Sequence, residues 1–314
     1  MRTKRFPAAI LVVCVAMLGL LRTPHAQSSQ ASALSASEQA ALEVVRAWIA
    51  GWEAKDPEKV AATMTEDVFW AGGFPGNPLG GIWRTRDRFI QQDGGATRGG
   101  VKFTVVEELV VGGSAGTAIL HRRIDEGGFG PYATLGGRGG PGVLFANGTL
   151  FWVKDGKIQV WLDGPITPNT PRDQAPPLDT WKAEEQAALD VVKNWVAAWN
   201  AKDPDKVASY MADDVQYSPY YPTYIAERGK TQFLQTRRRA IAQGVAMRIG
   251  QSLAVGGPRG YAVLVRRVDR FQSGGQQREV PAAAFFWIAN GKIHTWLDFP
   301  LETPPTSAGQ PVVR

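Results

Sequence analysis

The sequence predicts an α+β chain built from two tandem copies of one small cone-shaped domain, each a curved antiparallel sheet wrapped round three helices. Three observations carry this. Residues 38–70 and 185–217 align at an offset of 147, with 20 of 33 positions identical. The match resumes at Gly112-Gly113 to Asp125 against Gly256-Gly257 to Asp269, and again at Phe151-Trp152 to Asp163 against Phe286-Trp287 to Asp298. Within each copy helical periodicity comes first and strand periodicity follows, the order of an α+β unit. A repeat of about 130 residues is a duplicated domain, too long for the unit of a solenoid.

The first 26 residues stand outside that fold. Arg2, Lys4 and Arg5 precede an apolar run of 14 residues, Ala8 to Leu21, and Ala26 supplies a small residue for cleavage. This is the anatomy of a secretory signal, and the run is short for a membrane span. An exported protein is expected, periplasmic or secreted, with no membrane attachment after cleavage. The single cysteine, Cys14, lies inside the signal behind Val12 and Val13, where a lipoprotein signal needs a small residue. Cleavage leaves no cysteine, which excludes disulfides, thiolate nucleophiles and cysteine-ligated metals. Four of the 35 basic residues, Arg2, Lys4, Arg5 and Arg22, leave with the signal, against 29 acidic ones that all remain. The near balance gives no reason to expect nucleic acid as a partner.

Repeat one is taken as residues 37–166 and repeat two as 181–303, joined by a proline-rich linker at 167–180 and followed by a tail at 304–314. Leu42, Val45, Trp48, Ile49 and Trp52 recur at three- and four-residue steps, which makes an amphipathic helix. Asp56-Pro57 places a cap and a proline at the start of a second short helix ending near Met64. A short strand follows around Val68. The third helix is expected from about Thr85 to Gln91, with its counterpart near Lys230 to Ala242. Strands are expected at Val101–Val111, Thr117–Asp125, Gly142–Val153 and Lys157–Asp163, separated by Gly-rich, Asp-Gly or Asn-Gly turns. Their apolar residues fall on both faces, so the sheet curls over the helices.

Several motifs are decoys. Gly112-Gly113-Ser114-Ala115-Gly116 has the spacing of a serine-hydrolase elbow, but the second copy reads Gly256-Gly257-Pro258-Arg259-Gly260 without a serine. The motif also falls between two strands, where an elbow joins a strand to a helix. Gly229-Lys230-Thr231 resembles the end of a phosphate loop, yet the glycine required upstream is Tyr224; a helix start is the simpler reading. His121 and His294 occupy non-equivalent positions and belong to no metal-spaced cluster. The tryptophan pairs 48/195, 52/199, 152/287 and 161/296 read as core anchors. Asn147-Gly148-Thr149 is a glycosylation sequon in what reads as a strand turn.

Three charged residues recur inside otherwise apolar strands: Arg123, Asp125 and Asp163 in the first copy, Arg267, Asp269 and Asp298 in the second. Residues two apart on a strand share a face. Such groups are costly to bury unless paired. Two carboxylates around one guanidinium carry a net charge of −1, so a desolvated trio is expected to hold one proton near neutral pH. An acid and a base then stand side by side. The alternative is an ion pair that only stitches strands, although simple pairing does not require the second Asp.

The order of elements resembles the SnoaL-like, NTF2-like superfamily, curved sheets round three helices with a pocket at the open end. Within it, Arg-x-Asp followed by Gly-Lys-Ile-x-x-Trp-x-Asp resembles limonene-1,2-epoxide hydrolase. That resemblance implies that Asp163 and Asp298 activate water, that Asp125 and Asp269 protonate the epoxide oxygen, and that Arg123 and Arg267 bridge each pair. It implies no cofactor. It also implies a small hydrophobic substrate and a Tyr-x-Asn pair that holds the water. Here that pair is Tyr217-x-Pro219 in the second copy and Trp70-x-Gly72 in the first, so Tyr217 fits and the asparagine is missing from both. The second copy is therefore the better candidate, with Tyr220, Tyr221 or Tyr224 as substitutes for the missing group. The rival readings are a ketosteroid-isomerase-like or polyketide-cyclase-like proton-transfer enzyme, which needs no positioned water, and a non-catalytic protein that binds a small hydrophobic ligand. Pairing of the two copies through their sheets, an intrachain pseudo-dimer, is also expected.

Overall fold

In the computed structural model, residues 33–72, 82–127, 143–167, 170–171, 174, 177, 179–219, 221, 227–273 and 275–302 are described. Residues 1–32, residues 303–314 and much of the segment expected to be a linker lie outside them. The first copy runs α1 (Ala36–Glu53), α2 (Pro57–Ala62), β1 (Met64–Gly72), β2 (Ile82–Thr85), α3 (Arg86–Gly99), β3 (Val101–Gly113), β4 (Gly116–Gly127), β5 (Val143–Lys154) and β6 (Lys157–Pro165), and β7 (Thr170–Pro171) joins its sheet. The second runs α4 (Lys182–Asn200), α5 (Pro204–Ser209), β8 (Met211–Ser218), β9 (Glu227–Arg228), α6 (Lys230–Gln243), β10 (Ala246–Gly257), β11 (Gly260–Ser273), β12 (Gln276–Ala289) and β13 (Lys292–Pro300).

Local chemistry explains most boundaries. Ser35 caps α1 in a capping box with Glu38, and Asp56 and Asp203 cap α2 and α5 by accepting from the N–H of Lys59 and Lys206. The hairpins β5–β6 and β12–β13 turn on Asp155-Gly156 and Asn290-Gly291, all four with positive φ, as a type I′ turn requires. Ser114 is exposed in the turn between β3 and β4, and α6 begins at Lys230 behind Gly229.

Three details differ from the sequence reading. Helix α3 continues to Gly99 instead of stopping near Gln91, passing through Gly94 and Gly95. Two glycines oppose a helix by about 1 kcal/mol each, but Phe89 is buried against Trp52 and Thr97 is buried, and this packing outweighs propensity. Asn147-Gly148 is no turn: both residues lie inside β5, and Asn147 is 1% exposed. Third, one pairing in each sheet is parallel, β1 with β6 and β8 with β13, while the other pairings are antiparallel. Parallel neighbours need a long connection, which the intervening elements provide.

Each sheet buries both faces. Its concave face closes over the helices around Trp48, Trp52, Phe151 and Trp161 in the first copy and Trp195, Trp199, Phe286 and Trp296 in the second. The other face packs against the other copy in one shared core, with Phe69, Leu120, Leu150 and Trp152 meeting Tyr221, Leu264, Phe285, Trp287 and Phe299. The contacts are quasi-twofold. Arg122 meets Glu185 as Arg266 meets Glu38, and Ala115 N–H donates to Leu301 O as Arg259 N–H donates to Ile166 O. The symmetry breaks at Gly164, which faces the Trp287 ring; its counterpart Phe299 lies tilted against Trp152 at 5.1 Å and 33°.

Candidate active site

In each copy three adjacent strands bring the recurrent charges together on the concave face. In the first copy, β4 carries Arg123 and Asp125, and β6 carries Asp163. Arg123 Nε donates to Asp125 Oδ1 at 2.5 Å, and Nη2 donates to Asp125 Oδ2 at 2.8 Å and to Asp163 Oδ1 at 3.3 Å. In the second, Arg267 Nε donates to Asp269 Oδ1 at 2.6 Å, and Nη2 donates to Asp269 Oδ2 and Asp298 Oδ2, both at 2.8 Å. One planar guanidinium thus binds one carboxylate with both prongs and shares a prong with the other. Arg123 lies over the rings of Phe103 (4.3 Å) and Trp48 (5.4 Å), and Arg267 over Trp296 (5.3 Å). Nη1 of both arginines is buried with no hydrogen-bond partner among the described residues.

The copies differ in what else the carboxylates hold. Directly across from Arg123 stands Asn147, whose Nδ2 donates to Asp125 Oδ2 at 2.6 Å. Across from Asp163 stands Thr149, whose hydroxyl donates to Asp163 Oδ1 at 2.9 Å. The corresponding positions in the second copy are Ala282, paired with Arg267, and Ala284, paired with Asp298. Neither alanine has a donor to offer. Asp298 instead accepts from Trp296 Nε1 at 2.5 Å, whereas Trp161 Nε1 in the first copy has no partner among the described residues.

Burial pushes the Asp298 carboxyl up to about 6, against the opposing pull of Arg267 and with help from Asp269. Burial likewise holds Asp125 above the ordinary carboxylate range, against Arg123. Burial works against the charge on both arginines, yet the facing carboxylates outweigh it and keep them above their usual value. A carboxyl near neutrality beside a permanent cation can take or give a proton under ordinary conditions.

Tyr217 is buried and stacks on Trp296 at 4.0 Å and 27°, with Arg237 over its ring at 5.2 Å. Trp70 holds that place in the first copy, edge-on to Trp161 at 6.1 Å. Tyr221 lies elsewhere: its ring sits in the shared core between Phe69 and Phe299, on the opposite face of the sheet, although its N–H donates to the Asp298 carbonyl. Tyr220 and Tyr224 lie outside the described residues. His121 is buried beside Glu108 and held neutral, lowered to about 3 by burial and then by Arg123 and Arg46. His294 pairs with Asp214 at 3.5 Å. Among the described residues no group of three His, Cys, Asp or Glu side chains could hold a metal ion.

From sequence Asn147 and Thr149 read as a sequon and Trp296 as a core anchor, and that reading places none of the three at the site. For Asn147 a signal existed: it shares a strand face with Phe151, which the Asn-Gly reading concealed. Its buried amide, bonded to Asp125, also takes the sequon out of reach of a glycan in the folded protein.

The SnoaL-like domain family matches residues 45–161 and 192–296. Solved structures similar to this chain include an LEH-like epoxide hydrolase of M. tuberculosis, 24% identical over 37% of this chain and 84% of that one, with a TM-score of 0.33. A protein of Xanthomonas campestris pv. campestris provisionally described as a polyketide cyclase is 19% identical over 37% of this chain and 90% of that one (TM-score 0.29). A protein of ketosteroid isomerase-like fold from Catenulispora acidiphila, solved with trimethylamine, is 19% identical over 35% and 83% (TM-score 0.29). No curated protein matches the chain in sequence.

Proposed function

The chain belongs to the SnoaL-like domain family, and from that premise we propose that it is an exported, cofactor-independent epoxide hydrolase whose working site is Arg267, Asp269 and Asp298. One observation carries the reading. A single buried guanidinium bridges two carboxylates, one of them poised near pH 6, and the alanines across the sheet add no donor to either. Ionised Asp298 takes a proton from water as the water oxygen attacks an epoxide carbon. The carbon–oxygen bond of the ring breaks, and the ring oxygen takes a proton from Asp269. Arg267 holds both carboxylates in place, and its Nη1 is a donor for the developing alkoxide. Proton return from Asp298 to Asp269 through solvent restores the resting state. The substrate is a small hydrophobic molecule, in keeping with the aromatic surroundings of Tyr217, Trp296 and Phe233. The two copies act as an intrachain pseudo-dimer, and neither nucleic acid nor membrane is a partner of the mature chain.

A second reading has one observation in its favour. Pro219 stands where the resemblance to limonene-1,2-epoxide hydrolase calls for a water-holding asparagine, and a proton-transfer enzyme of ketosteroid-isomerase or polyketide-cyclase type needs no such water. Incubating the mature chain with a panel of epoxides in heavy-oxygen water separates the two. Labelled diol that disappears in Asp269→Asn supports hydrolysis. Deuterium exchange into a ketone without diol supports the isomerase, and tight binding without turnover leaves a ligand-binding protein.

A further inference from the structure

In both halves the chain neighbour of the site arginine reaches across to the other copy. Adjacent strand residues alternate faces, so Arg267 points to the helices while Arg266 points to the first copy. Arg266 Nη2 donates to Glu38 Oε1 at 2.9 Å and to the Gly112 carbonyl at 3.0 Å. Glu38 is no loose surface carboxylate. Its Oε1 also accepts from Gly112 N–H at 2.9 Å, and its Oε2 accepts from the N–H and hydroxyl of Ser35, each at 2.9 Å. The mirror contact exists: Arg122 donates to Glu185, which also accepts from Gly256 N–H at 3.0 Å.

The latch falls at a weak point of the sheet. Ile249 pairs with Arg267 and Ser252 with Val265, so two residues of β10, Gly250 and Gln251, stand opposite the single Arg266. A bulge of this kind interrupts the hydrogen-bond ladder and sets the twist that aims the neighbouring side chains. On its other side β11 keeps an unbroken register with β12, so Arg266 is held between the bulge and the Ala283 pairing, and its contact with Glu38 adds a fixed point on the far face.

We propose that Arg266 is a positioning residue: anchored on Glu38 of the first copy, it aims Arg267 at Asp298, so that the first copy holds the site of the second. The consequence for catalysis rests on the reading given above, whereas the geometry is testable without substrate. Trp296 Nε1 donates to Asp298, so the indole N–H resonance of Trp296 reports the titration of that carboxyl in the full mature chain. If Arg267 loses its aim, Asp298 loses a favourable cation, and the midpoint moves up by about one pH unit.

Glu38→Ala gives the decisive sign. Deleting a nearby negative charge lowers a carboxyl midpoint by Coulomb's law alone, so an upward shift identifies lost positioning. Ser35→Ala removes one bond to Glu38 Oε2 and leaves the Oε1 contact with Arg266, so the midpoint moves less than in Glu38→Ala. Should Glu38→Ala not fold, Glu38→Asp keeps the charge but withdraws it by one methylene, and the same upward shift is expected. A folded Glu38 variant with an unmoved or lowered midpoint overturns the proposal. Epoxide turnover is measured alongside, with a fall in kcat of about ten- to a hundredfold expected. An upward shift in a protein that hydrolyses no epoxide refutes the hydrolase reading and leaves the positioning role standing. An unmoved midpoint in an active enzyme refutes the positioning role alone.

Discussion

The first copy and the second share a fold and a charged trio, and differ in the strand between its carboxylates. Asn147 and Thr149 give Asp125 and Asp163 a donor each, while Ala282 and Ala284 give Asp269 and Asp298 none. The lesson is that the same Arg-Asp-Asp trio can be held by different neutral donors in two copies of one fold. The first copy places two neutral donors on its carboxylates, both from the strand across the sheet, whereas Asp298 takes a neutral donor from Trp296 on its own strand.

The comparison breaks first at the acid. Asp269→Asn is expected to lower turnover by about a hundred- to ten-thousandfold, the range of general acid–base catalysis, and steady-state diol formation measures it. Next comes transplantation: Ala282→Asn with Ala284→Thr installs the donors of the first copy in the second and should lower kcat by about a hundredfold. Circular dichroism and thermal melting would check that the added volume leaves the fold intact.

The pH profile sharpens the contrast. Asp298 must be ionised to accept a proton while its partner carboxyl still holds one, so turnover should pass through a maximum whose acid limb lies near pH 6. The same carboxyl is raised above its unfolded value, so its contribution to stability is present at low pH and lost as pH rises through about 6. Trp296→Phe removes a donor to ionised Asp298 and should move the acid limb up by about half a pH unit. The smallest effect concerns the seam between the copies. A Cβ at Gly164 would lie 2.6 Å from the Trp287 ring, so Gly164→Ala should cost about 1–3 kcal/mol in denaturant unfolding without shifting the pH profile.

Local chemistry was legible in the sequence, and long-range geometry was not. Asp56-Pro57 and its twin announced the second helices, and the sites of β3, β4 and β6 followed from alternation and turn residues. The trio was visible because the duplication kept it while surrounding positions changed. Asn147-Gly148 misled because the dipeptide that makes a hairpin at Asn290-Gly291 also fits inside a strand when its amide has a buried partner. The parallel pairing of β1 with β6 and the latch between Glu38 and Arg266 join residues far apart in the chain, for which no local pattern exists.

The account stands on unequal copies, and one paired measurement tests it most directly: heavy-oxygen diol yield from Asp298→Asn and from Asp163→Asn, each against the unaltered protein. Near-normal labelled diol from Asp163→Asn and none from Asp298→Asn is the result predicted. Equal yields from the two variants, or undiminished diol from Asp298→Asn, would contradict it.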